Sequence, residues 1–163
     1  MIYEVEGDIM LSRAQVVAQG VATGDPMNRG LGRRLHERFP VMVEEFRQWC
    51  EAEQAQPGQL WMWGKPGQLQ IVNMITHTGD EENPARVGRP DKIALNRCFR
   101  GLNSLYAEHR FKSIAMPMVG AGEFGLDWVE VRDMLHAQLS QLLIPVFVYV
   151  KELEGQIAHE PGL

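Results

Sequence analysis

The chain reads as an α/β domain: a mixed, largely parallel sheet with helices on both faces. Three observations carry that reading. Short apolar runs with the character of strands alternate along the chain with segments whose apolar residues recur at helical spacing. Two loops that follow strands and precede helices are rich in glycine, and ligands in such sheets bind beyond the carboxyl ends of the strands. The length, 163 residues, suits one domain with a real core, and the 45% hydrophobic and 23% charged composition is that of a globular protein.

Taken in order, "MIYEVEGDI" alternates as a strand should and breaks at Gly7-Asp8. "AQVVAQGVA" is a second strand. "DPMNRGLGRRLHERFP" is a turn-rich loop passing into a helix with Leu31, Leu35 and Phe39 at helical spacing, and Pro40 starts another helix with Met42, Phe46 and Trp49 as its buried stripe. "QLWMWGKPGQLQIVNMIT" predicts two strands around the turn "GKPG". The polar stretch "HTGDEENPARVGRPD" is the one long loop. A helix is expected from about Asp91 to about His109 with Leu95, Phe99, Leu102 and Tyr106 on one face, and "KSIAM" is a short buried strand. Trp128, Val131, Leu135, Leu139 and Leu142 describe a last helix, capped by Asp127 with Glu130 completing a capping box, before "IPVFVYV" closes the sheet. The division is a domain over 1–150 and a polar C-terminal tail over 151–163 that frays or dangles.

A net charge of −5 argues against a surface built to coat nucleic acid. Cys50 and Cys98 lie far apart with no partner at metal-ligand spacing, so they read as buried thiols of a reducing compartment; no metal and no cofactor is expected. The start of the chain lacks the basic and apolar regions of a signal peptide, and no stretch approaches membrane-spanning length, so a cytoplasmic monomer without membrane contact is expected.

The late loop "MPMVGAGEFGLDW" raises the functional question. Gly120-Ala121-Gly122-Glu123-Phe124-Gly125 satisfies G-x-G-x-x-G, but a dinucleotide fingerprint belongs in the first strand-to-helix turn and needs an acid about 20 residues on. Here that stretch is "IPVFVYV", without an acid, which argues against a hydride-transfer enzyme; no Gly-Lys-Ser/Thr follows either, which excludes a Walker A loop. What remains is a loop of backbone N–H groups opening onto a helix N-terminus, a seat for an anion such as phosphate. Asn28-Arg29-Gly30-Leu31-Gly32 has the same design at a second strand end, and two such loops suit a diphosphate clamped from both sides. Taken alone, either set of glycines serves equally well as a tight turn.

Together "VEGDI", "MNRGLGRRLHERFP", "IVNMIT" and "MPMVGAGEFGLDW", in that order from about Tyr3 to about Val150, resemble the macrodomain family, the ADP-ribose-binding fold. The spacing from Met27 through Gly30 to Phe39, and the ending Gly125 to Trp128, resemble the branch with the terminal ADP-ribose protein glycohydrolase and the antitoxin macrodomains acting on ADP-ribosylated DNA. The resemblance implies a three-layer α/β/α macrodomain with ADP-ribose as ligand. It implies that Asp8 accepts from the adenine amino group, with Gly7 and the Ile9 backbone beside it. Asn28, Arg29, Gly30, Leu31 and Gly32 match the first diphosphate loop, and Val119, Gly120, Ala121, Gly122, Glu123, Phe124 and Gly125 the second. Thr76 lines the cleft, and Phe124 stands against the distal ribose.

The same resemblance shows departures. In that branch a lysine follows the "Ile-Thr" strand end, and an acid in the second loop assists it. Here His77 holds the lysine's place and Phe124 the acid's, with Glu123 one residue earlier. Histidine cannot repeat a lysine's covalent chemistry on a ribose aldehyde. Three functions follow. The first is a non-catalytic receptor for ADP-ribose, free or on protein or nucleic acid. The second is a hydrolase with His77 or Glu123 as general acid or base, removing ADP-ribose from protein or DNA, or phosphate from ADP-ribose-1''-phosphate. The third is a generic nucleotide-binding module. The basic cluster Arg29, Arg33, Arg34 and Arg38 reads as a solvated helix face balanced by Glu37, Glu44 and Glu45.

Overall fold

A computed structural model describes residues 1–79, 89–121 and 125–163. Strand β1 (Ile2–Gly7) leads through a short 3-10 turn, Ile9–Leu11, into β2 (Val16–Ala22). Helices α1 (Gly30–Arg38) and α2 (Pro40–Glu53) follow, then the hairpin β3 (Leu60–Trp63) and β4 (Gln70–His77). Next come α3 (Lys92–His109), β5 (Ile114–Pro117), α4 (Trp128–Leu139) and β6 (Val146–Glu152). The strands lie in the order β1-β6-β5-β2-β4-β3. Every pairing is parallel except β3 with β4, the hairpin the "GKPG" turn predicts.

The period-2 alternation of the strands divides the core into two layers. Val16, Ala18, Val72, Met74, Val146 and Val148 face α3 and α4, where Leu95, Phe99, Leu102, Val131, Leu135 and Leu139 meet them. Val17, Val21, Ile71, Ile75, Phe147 and Tyr149 face Leu35 of α1 and Met42, Val43 and Phe46 of α2. All eight residues of β4 are buried, as a strand covered on both faces requires. Each large side chain so buried stabilises the fold by about 1.5–3 kcal/mol.

Helix ends follow local chemistry. Asp91 caps α3 with its carboxylate on Ile93 N and Ala94 N, Pro40 opens α2, and both helices end in a left-handed residue, Arg110 and Gln54. Asp127 caps α4 through Val129 N. Glu130, expected to reach back in a capping box, instead pairs with Lys92 Nζ of α3 at 2.8 Å. Leu142 is buried, but beyond the end of α4.

Cys50 and Cys98 are free and buried. Burial pushes the Cys98 thiol up to about 12 and raises that of Cys50, so neither is a nucleophile near neutral pH. Among the described residues no helix is long and apolar enough to cross a membrane, and no His, Cys, Asp and Glu side chains cluster as metal ligands.

Residues 153–163 do not dangle. Leu153 N donates to Gly7 O and Asp8 N to Gln156 O, and Ala158 and Glu160 are buried. The composition of this segment is polar, but its backbone groups and one carboxylate find partners on the β1 corner.

Candidate functional site

Because β1, β2, β4, β5 and β6 run parallel, their carboxyl ends lie along one edge of the sheet. The sequence-predicted residues fall there: Gly7, Asp8 and Ile9 after β1, Asn28 to Gly32 after β2, Thr76 and His77 at the end of β4, and Val119, Gly120 and Ala121 after β5. Gly20, inside β2, is what lets two of these approach. A Cβ on it would lie 3.0 Å from Val119 Cγ1 and 3.3 Å from Thr76 Cγ2.

At the β1 end, Asp8 is 4% exposed, yet its carboxylate is well supplied with donors. Oδ1 accepts from Met10 N at 2.9 Å and from Arg34 Nη2 at 2.6 Å, and Oδ2 accepts from Gly155 N at 2.9 Å. Burial pushes the Asp8 carboxyl up, but the Gly155, Arg34 and Met10 bonds together outweigh it and hold it below the usual carboxylate value. Arg34 is also bound by Glu152 at 2.9 Å; against its burial, these two carboxylates raise its already high pKa. The expectation of a solvated arginine face is therefore corrected. Arg33 does pair along the helix with Glu37, but Arg34 turns inward onto Asp8, and Arg38 lies over the Phe39 ring.

At the β2 end, Gly30, Leu31 and Gly32 form the first turn of α1 rather than a loop ahead of it. Their N–H groups are ones an α-helix leaves without internal partners, and Arg29 at the N-cap makes no side-chain cap bond to them. Gly30 has φ +58°, a conformation that favours glycine. The turn before it is held by Asp25, which accepts from Ala22 N at 2.9 Å and Met27 N at 2.8 Å. Those bonds support Met27 at φ +51°, buried in the core.

At the end of β4, next to β2, sits His77, 9% exposed. Its Nδ1 meets Thr76 Oγ1 at 2.9 Å, and its Nε2 is buried with no hydrogen-bond partner among the described residues. Burial lowers the His77 pKa, with nearby Arg29 adding to the effect and Asp25 opposing it, so the ring is neutral at neutral pH. When the Thr76 hydroxyl donates to Val21 O, Nδ1–H donates to Thr76 and Nε2 carries a lone pair.

On the β5 side, Gly120 has φ +74°, and a Cβ on it would lie 2.8 Å from Leu95 Cδ2. Its carbonyl accepts from Leu126 N at 2.7 Å, which joins the two stems of the glycine loop. Gly122, Glu123 and Phe124 lie outside the described residues, as does most of the polar loop, residues 80–88. A separate groove of about 390 Å³ is lined by Met10, Arg13, Val17, Leu35, Arg38 and Leu69, among others. Its lining also takes in Ile9, just after β1, and Gly67 and Gln68 of the β3–β4 turn.

The sequence reading missed Arg34 and Gly155 as partners of Asp8, Glu152 as the second partner of Arg34, and Asp25 as the brace of the β2–α1 turn. Asp25-Pro26 carried a local signal, since Asp before proline starts turns. The Arg34 and Gly155 contacts had none, being 26 and 147 residues from Asp8 along the chain.

The Macro domain family model matches residues 23–135, more than half of the chain. The chain belongs to the macrodomain family. This macrodomain is 26% identical to the DNA ADP-ribosyl glycohydrolase of Thermus aquaticus over 98% of its own length and 43% of that protein's. It is 25% identical to a DNA ADP-ribosyl transferase–DNA ADP-ribosyl glycohydrolase fusion protein of Thermosipho africanus, over 90% of this chain and 41% of that one. The chain thus spans about two fifths of the length of these relatives. Among solved structures, the macrodomain of Thermus aquaticus DarG superposes with a TM-score of 0.82 at 25% identity, covering 92% of this chain and 98% of that one. Thermosipho africanus DarTG in complex with ADP-ribose gives 0.80 at 25% identity, covering 96% of this macrodomain and 43% of the other chain.

Proposed function

We propose that this macrodomain binds ADP-ribose, free or attached to protein or nucleic acid, along the carboxyl edge of its sheet. The observation that carries the reading is that the same edge holds a buried acceptor, Asp8, and the N-terminus of α1, whose N-cap side chain makes no cap bond. A carboxylate has about four lone-pair sites, and three on Asp8 are taken, so one on Oδ2 remains for a single N–H of the adenine amino group. The first-turn N–H groups of α1 and the loop from Val119 to Gly125 suit a diphosphate. Phe124 is assigned to the distal ribose on the family resemblance. The similarity to an ADP-ribose complex supports the same ligand.

Calorimetric titration with ADP-ribose, AMP and ADP tests this. Preferential binding of ADP-ribose, weakened roughly tenfold in Asp8→Asn, is the expected result, the worth of one charge-assisted hydrogen bond. Equal binding of all three nucleotides would mean the edge serves another anion.

One observation favours a second reading, hydrolysis: the buried, neutral His77, whose Nε2 has no partner among the described residues, carries a lone pair suited to take a proton from a water admitted to it. It would act where its relatives' names indicate DNA ADP-ribosyl glycohydrolysis. His77→Gln and Glu123→Gln should then abolish turnover of ADP-ribosylated DNA or protein while leaving ADP-ribose affinity within a few fold. Unchanged turnover in both variants removes the reading.

A further inference from the structure

We infer that residues 153–163 form a strap that orients Asp8, and that Glu160 is the positioning residue that latches it. The inference rests on the proposal that Asp8 reads adenine. Glu160 is a carboxylate only 2% exposed on a segment of polar composition, and no part of the ligand reading uses it. Such a group is retained inside a fold only when its acceptors are satisfied. Here they are: Oε1 accepts from Arg13 N at 2.8 Å, and Oε2 from Ser12 Oγ at 2.6 Å and Tyr149 OH at 3.0 Å. The donors come from the connection before β2 and from β6, so one carboxylate ties the strap to both elements flanking the β1 corner.

What the latch holds in place is Asp8. The strap supplies Gly155 N to Asp8 Oδ2 at 2.9 Å and Gln156 O to Asp8 N at 2.7 Å, so both the side chain and the backbone of Asp8 are fixed by it. Between these bonds and the latch, Ala158 closes on Gly7 so tightly that a Cβ there would meet Ala158 N at 2.7 Å. The Gly155 bond occupies one of the two lone pairs of Oδ2 and thereby sets the direction of the other, the one left for an amine. Glu160 acts on base recognition through this chain of bonds without touching the base.

A readout that general destabilisation does not move is the ratio of affinities for ADP-ribose and its hypoxanthine analogue, which lacks the amino group. The full chain and four variants, Asp8→Asn, Glu160→Ala, Tyr149→Phe and the Asp8→Asn/Glu160→Ala double, are titrated with both ligands at a temperature where circular dichroism shows each folded. The native chain should favour ADP-ribose about tenfold. Asp8→Asn and Glu160→Ala should each bring the ratio close to unity, and the double variant should go no further than Asp8→Asn. Tyr149→Phe, which removes one hydroxyl and no volume of the core beyond it, should give an intermediate ratio and decides the matter if Glu160→Ala does not fold. If Asp8→Asn leaves the ratio unchanged, Asp8 does not read adenine and the premise fails. If Asp8→Asn collapses the ratio while Glu160→Ala and Tyr149→Phe keep it, or lower both affinities equally, the strap is structural only and the inference is overturned.

Discussion

The two sides of the sheet's carboxyl edge are built on opposite plans. At the β1 end a buried carboxylate is surrounded by donors, its cation is shared with a second carboxylate, and the whole is closed by a strap. At the β2–β4 end a buried imidazole carries a nitrogen with no partner among the described residues, beside a helix whose N-cap side chain leaves the first turn unbonded. A satisfied network is rigid before any ligand arrives, whereas an orphaned polar atom costs free energy that a ligand or water can recover. The comparison teaches that the first end is suited to selecting one shape and the second to taking up a polar group during binding or reaction.

Gly7→Val attacks the first end most severely. Its Cβ would press on Ala158 N, Cβ and Cα, all within 2.9 Å, and backbone cannot step aside as a flexible side chain can. Overpacking of this kind costs on the order of 3 kcal/mol, read as a fall in the denaturant midpoint together with loss of ADP-ribose binding. An unchanged midpoint would show that the strap yields easily and that this end is not rigid.

Arg34→Met is next. Removing one partner of a fully buried pair costs roughly 3–5 kcal/mol, but the Arg34 side chain keeps 29% exposure, so about 1–2 kcal/mol is expected. The pH dependence follows from the depressed Asp8 pKa. Its stabilisation is complete above the unfolded carboxyl value and is lost as pH falls through the folded one. Losing Arg34 lets the folded Asp8 pKa rise toward the unfolded value, so in Arg34→Met the stability profile should be flatter between about pH 5 and pH 2, and the two proteins should converge toward acid in melts recorded over that range.

At the other end the effects are smaller. Gly30→Ala meets nothing within 4 Å, so only the φ of +58° resists it, at about 1 kcal/mol. A larger loss of stability would mean that α1 begins differently. His77 should show a slope rather than a collapse. Its lowered pKa means that stability is complete above the unfolded value near about 6.5 and declines as pH falls below it, because the unfolded chain then binds the proton more readily. His77→Gln should flatten the stability profile between about pH 7 and pH 5. A profile with the same slope in both proteins would show that the ring is solvated, and the contrast between the two ends would disappear.

Much of this was legible in the chain itself. Leu95, Phe99 and Leu102, and Val131, Leu135 and Leu139, mark the buried faces of α3 and α4, because a helix repeats every 3.6 residues wherever it docks. Asp91 and Asp127 mark their starts because a cap is a bond to N–H groups two or three residues on. Asp8, Gly30, Thr76 and Gly120 could be placed at strand ends for the same local reason. What was misread has the opposite character. Glu130 has the spacing of a capping box, but Lys92 of another helix offers it an opposite charge. Arg34 and Arg38 share helical spacing, but Arg34 is captured by Asp8 in the turn after β1. Residues 153–163 look polar and free, yet Glu160 finds three donors, two of them 147 and 148 residues away along the chain.

The sequence by itself determined the order of strands and helices, their caps, the glycines at the strand ends and the family, since each depends on spacings of a few residues or on motifs in register. Tertiary structure alone decided which cation holds Asp8 and which segment covers it. Those contacts exist because the sheet order β1-β6-β5-β2-β4-β3 brings the first and last strands side by side. No local propensity encodes that neighbourhood; it follows from how the whole chain buries its two apolar layers at once.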